Sequence, residues 1–129
     1  MQFRRLLSLW FPVLFWAGLI FYLSSIPNLA VGEGAVDFLT RKPAHVLEYA
    51  ILFALVFRAL GGMSRELQAA KGKLYLSAAV FTFLYAVTDE IHQMLVPSRE
   101  GKIYDLGFDL LGIFLAAFLL HQSLKKVKP

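Results

Sequence analysis

Five titratable side chains, His45, Glu48, Asp89, Glu90 and His92, interrupt stretches that are otherwise apolar enough to cross a bilayer. Ionisable groups are costly in hydrocarbon, so within a membrane segment they mark a functional site by default. Carboxylates and imidazoles gathered together are the groups of acid–base chemistry. Glu48, Glu90 or Asp89 could act as a base, and His45 or His92 as acid or base near neutral pH. Lys42 and Arg99 add cations able to hold a phosphate or carboxylate, Arg through a bidentate fork and Lys as a point charge. Gln93, Asp105, Asp109 and Tyr49 complete the candidate substrate contacts.

The spacing allows shared faces. His45 and Glu48 are three residues apart, as are Asp89 and His92, and Asp105 and Asp109 are four apart. Such pairs are neighbours on a helix surface. Two histidines and several carboxylates can hold a metal in carboxylate-rich bundles. Yet H-x-x-E is not H-E-x-x-H, and D-E-x-H-Q has no known zinc spacing. The sequence therefore assigns no metal ligands and names no cofactor. With no cysteine, thiolate chemistry and disulfides are excluded.

These groups need elements to position them, and four apolar runs supply them: roughly residues 6–23, 44–60, 74–96 and 104–120. Each approaches the ~20 residues a helix needs to span the hydrocarbon core. Four runs are too few for a closed barrel, and lone strands leave backbone groups unsatisfied in lipid. The fold class is thus all-α, a four-helix transmembrane bundle forming a single domain over residues 1–129. Composition agrees: 58% of residues are hydrophobic, 17% are charged and mean hydropathy is +0.62, against about a quarter charged in an ordinary soluble domain. The first run exceeds a signal-peptide core and no A-x-A site follows it, so it reads as a retained span. Pro43 opens the second span, Gly61 and Gly62 close it, and Pro97 stops the third. In the long first connection, residues 33–39 could form a short interfacial helix with Val36, Phe38 and Leu39 towards lipid. Tyr49 and Tyr104 also suit the membrane–water boundary, and Gly107 and Gly112 suit close helix approach.

Basic residues set the orientation. Arg4, Arg5, Arg58, Arg65, Lys71, Lys73 and the three lysines of the tail fall on one side, outnumbering Arg41, Lys42, Arg99 and Lys102 on the other. By the positive-inside rule both termini are cytoplasmic, and the candidate site faces outward. The net charge of +4 is distributed between spans rather than along a stripe, so nucleic acid is excluded as a partner. The partner the composition requires is the lipid bilayer, and oligomerisation stays open.

Several motifs resemble those of the VanZ-like family. Lys42-Pro43-Ala44-His45-Val46-Leu47-Glu48-Tyr49 is similar to its K-x-x-H-x-x-E-Y segment, and Asp89-Glu90-Ile91-His92-Gln93 to its D-E-x-H-Q segment. Pro97-Ser98-Arg99 resembles its P-G-R turn, and Asp105 through Gly112 its D-x-x-x-N-x-x-G helix; Ser24-Ser25-Ile26-Pro27 also fits. Ser98 replaces the usual glycine and Asp109 the usual asparagine. The resemblance implies a small multi-pass protein of the bacterial cytoplasmic membrane, in a family whose named member is linked to resistance to teicoplanin, a glycopeptide antibiotic. Three readings stand open: an enzyme acting on a lipid-linked or other envelope substrate, a non-catalytic binder of glycopeptide or lipid headgroups, and a buried network that only fixes helix packing.

Overall fold

The computed structural model describes residues 2–26, 35–97 and 102–127, with the side chains of residues 35–38 excepted. Arg99, Ser98, Pro27, Glu33 and the side chains of Val36 and Phe38, which figured in the expectations above, lie outside the described residues. The described chain is all-α: α1 (Gln2–Ser25), α2 (Ala35–Met63), α3 (Arg65–Ala69), α4 (Lys71–Leu95) and α5 (Asp105–Val127). Helices α1, α2, α4 and α5 are each long and apolar enough to cross a membrane.

Each spanning helix buries one stripe. On α4 it runs through Leu74, Ala78, Thr82 and Ala86 at steps of four, then into Asp89, Glu90 and Gln93. On α5 it is Asp105, Asp109, Gly112, Ile113 and Ala116. Both helices therefore carry small or apolar residues along most of the buried face and carboxyl groups at one end of it. The opposite faces are lipid-like, with Leu84, Phe114 and Leu119 among the large exposed apolar side chains.

The second helix starts nine residues before the expected Ala44. Ala35–Leu39, expected in a separate interfacial helix, is the first turn and more of α2, which passes through Pro43. The missing N–H of Pro43 costs one hydrogen bond, to the carbonyl four residues back, and near a helix end this does not stop the helix. Ser64 separates α2 from α3, accepting at its hydroxyl from the Leu67 N–H at 3.2 Å.

Helices α2 and α4 form the middle of the bundle. Each packs on α1 and on α5, whereas α1 and α5 make no contact among the described residues. The core between them gathers Val13, Ile20, Tyr49, Phe53, Val56, Leu74, Ala86 and Ile113. Residue pairs fix the directions. Ala17 accepts from Tyr85 and Ser24 from Gln93, so α1 and α4 run parallel. Lys42 meets Asp105 and His45 meets Asp109, so α2 and α5 also run parallel. Gly112 makes the second pairing tight: a Cβ there would fall 2.2 Å from the Val46 carbonyl oxygen and 3.1 Å from the Ala50 nitrogen. Gly107, expected to serve the same purpose, faces open space.

Candidate functional site

The polar residues of four helices converge at the end of the bundle where α1 and α4 finish and α2 and α5 begin. The buried stripes impose this, because parallel neighbours carry their acids and cations at matching heights. Lys42, His45, Asp89, Glu90, Gln93, Asp105 and Asp109 are all buried, with Asp105 and Asp109 at most 1% exposed. Four buried carboxyl groups face one ammonium and one imidazole among the described residues.

Contacts divide the cluster into parts. Lys42 Nζ forms a salt bridge with Asp105 Oδ1, at the first turn of α5, where the helix dipole also favours an anion. His45 Nδ1 lies 3.0 Å from Asp109 Oδ1. With Asp109 ionised, Nδ1–H donates to it and Nε2 is the other functional atom of the ring. Asp89 Oδ2 accepts from the Tyr49 hydroxyl at 2.9 Å and from Gln93 Nε2 at 3.0 Å. Gln93 continues to Ser24 on α1 at 3.4 Å. Tyr49, expected at the membrane boundary, is instead wholly buried as a donor to a carboxylate.

Glu90 differs from its neighbours. It is only 3% exposed, and neither carboxyl oxygen has a side-chain hydrogen-bond partner among the described residues. The same holds for Asp89 Oδ1 and Asp105 Oδ2. The electrostatic surroundings of Glu90 are the backbone N–H of Lys102 and the charges of Asp105, His45 and Asp109. Buried acceptors left without donors are uncommon and costly, so this set is where the cluster has capacity to take hydrogen bonds.

A cavity of about 170 Å³ opens beside the cluster, lined by Leu23, Ser24, Arg41, Ala44, His45, Glu48 and Gln93. It brings together His45, Glu48 and Gln93 from the expected set. Arg41 and Ser24 also line it, although the sequence placed Arg41 only among the basic residues that set orientation and Ser24 only within a family-like motif. The spacing of 41, 45 and 48 along one helix face held the signal for Arg41. His92 is placed apart from the carboxylates. Its ring stacks on Phe21 with centroids 4.3 Å apart, and Nε2 lies 2.8 Å from Ser25 Oγ. The Ser25 hydroxyl already donates to the Phe21 carbonyl, so the His92 N–H donates to the serine. No three His, Asp or Glu among the described residues are grouped to hold a metal ion.

Comparison with known proteins gives one match. The family model described as VanZ/LLP1 matches residues 9–125, a span that takes in α2 and α4 whole, most of α1 and α5, and the whole polar cluster. No curated protein and no solved structure matches the chain.

Proposed function

The chain belongs to the VanZ/LLP1 family, and from that premise we propose that its polar end is an acid–base site for an envelope substrate, presented at the outer face of a bacterial cytoplasmic membrane. The observation that carries this reading is the His45–Asp109 pair set at the wall of the polar cavity. A carboxyl group that fixes the ring leaves Nε2 to exchange a proton with a bound group, the same division of labour as in hydrolytic triads. Asp109 is then a positioning residue and His45 the proton carrier. Arg41 supplies a fork for an anionic group of the substrate, and Glu48 on the same wall is placed to take or return a proton. Lys42 is engaged with Asp105 and serves to fix α5 against α2. Both termini are cytoplasmic in this scheme, an orientation that the excess of basic residues on that side supports.

The buried carboxyl oxygens of Asp89, Glu90 and Asp105 that meet no side-chain donor favour a second reading, in which the cluster holds a donor-rich ligand such as a glycopeptide or lipid headgroup without transforming it. The two readings separate on His45→Gln and Glu90→Gln. Expressed in a teicoplanin-susceptible host, the wild-type chain is expected to raise the inhibitory concentration several-fold. Under the acid–base reading His45→Gln abolishes that gain, while the protein stays folded and membrane-inserted. Retention of the gain by His45→Gln together with its loss in Glu90→Gln would transfer the function to ligand capture. If the gain survives both substitutions, neither reading stands.

A further inference from the structure

A second cavity, of about 810 Å³, lies along the lipid-facing seam between α2 and α5. Its walls are apolar, with Ala50 and Ala54 on α2 opposite Leu111 and Leu115 on α5, and its polar members are Lys42 and Ser123 at the two ends. The small alanine side chains leave the space. On α2 the lining runs from Leu39 to Ala54, which at about 1.5 Å per residue is roughly 22 Å. Half of a ~30 Å hydrocarbon core is about 15 Å, so the cleft runs along more than one leaflet's depth.

We infer that this cleft holds the hydrocarbon chain of an anionic lipid whose headgroup lies at Lys42, so that the substrate of the polar site is lipid-linked and reaches it sideways from the membrane. The inference rests on the acid–base reading for what happens at the headgroup, and on the cleft for the chain. Charge fixes the polarity of the occupant. Lys42 Nζ stands 5.0 Å from the centroid of the Tyr104 ring and Lys102 Nζ stands 5.7 Å from the same centroid. Both ammonium groups thus lie against one exposed ring beside the end of the cleft, and the N–H donors of Lys42 that are not turned to Asp105, with those of Lys102, complement a phosphate. Lys42 also joins the cleft to the buried cluster through Asp105, so a headgroup there adjoins the acids. A helix from a second copy fits less well. Among residues of described exposure, the exposed acid is Glu66, on α3 at the opposite end of the bundle, so a second copy brings no described anion to the two lysines.

Native mass spectrometry of the full chain in detergent, titrated with phosphatidylglycerol or phosphatidylcholine, tests this. Wild-type protein is expected to retain one phosphatidylglycerol at concentrations where phosphatidylcholine is lost. Ala54→Trp, which fills the cleft, should weaken phosphatidylglycerol retention at least tenfold, and Leu84→Trp, on the exposed face of α4, should not. Lys102→Gln should narrow the preference for the anionic lipid several-fold. A phosphatidylglycerol with a photoreactive acyl chain gives a check on unaltered protein: labelling should concentrate on the α5 segment holding Leu111 and Leu115. Equal labelling of all four spanning helices overturns the inference. So does wild-type retention by Ala54→Trp, equal retention of the two lipids, or a dimer that Ala54→Trp dissociates. Lipid uptake is read without turnover, so its failure is distinguishable from failure of the His45 test.

Discussion

Where α2 begins, Lys42 and His45 are buried and each faces a carboxylate of α5; where α2 ends, Arg5 and Arg58 lie exposed and donate to backbone carbonyls of Gly62 and Ser8, at 2.7 and 3.3 Å. The second arrangement satisfies helix carbonyls that water or headgroups would satisfy as well. Gly62 belongs to the last turn of α2, whose carbonyls have no intrahelical donor. At the first end neither partner has such a substitute. Removing one member leaves a charge in a low-dielectric interior, which costs far more than the intact pair contributes. Charge at the buried end therefore specifies how α2 and α5 are paired, and charge at the exposed end serves carbonyls without an intrahelical donor, Gly62 in the last turn of α2 and Ser8 four residues before Pro12 of α1.

Five substitutions probe that contrast, each read as thermal unfolding in one detergent. The largest effect is expected for Lys42→Met, which strands Asp105: a loss of about 3–5 kcal/mol, against a change within about 0.5 kcal/mol for Arg58→Met at the other end. Similar losses for the two would erase the distinction between the ends. Next is Gly112→Ala, which forces α5 away from the Val46 carbonyl and should cost about 1–3 kcal/mol. Gly107→Ala, with open space at its Cβ, should be neutral or slightly stabilising, since alanine is favoured over glycine within a helix by up to about 1 kcal/mol. An equal cost for both glycines would mean that the α2–α5 approach is not as close as described. The smallest effect is expected for Asp109→Asn. An amide oxygen still accepts from His45 Nδ1–H, and one negative charge leaves a cluster rich in them, so the change should stay below about 1 kcal/mol. A larger loss would show that the charge of Asp109, rather than its acceptor oxygen, holds His45. Asparagine is the residue that the family pattern carries at this position, so this variant also separates what is particular to this chain from what the motif requires.

Much of the site was legible before any coordinates. The acids and histidines stood out against apolar runs, and the turn chemistry of Pro97 ended α4 as expected, with the helix closing at Leu95. Pro43 misled, because a proline near a helix end reads equally as a start and as a tolerated interior residue. His92 and Glu90 are two residues apart, about 200° around a helix. One was bound to turn away from the other, and the sequence held no indication that α1, through Ser25 and Phe21, would receive His92. Tyr49 carried the composition of a boundary residue, and only its carboxylate partner on α4 drew it into the interior.

By itself the sequence determined that this chain crosses a bilayer as four helices and that its ionisable groups cluster at one end of three of them. Hydropathy and span length settle both, since each is a property of a single segment. Which cation faces which acid, which histidine reaches the cavity, and where a cleft runs between α2 and α5 were decided by tertiary structure alone. Those depend on how each helix is rotated against its neighbours. That rotation is fixed by close contacts such as Gly112 on Val46, between residues 66 positions apart, and no local pattern encodes it.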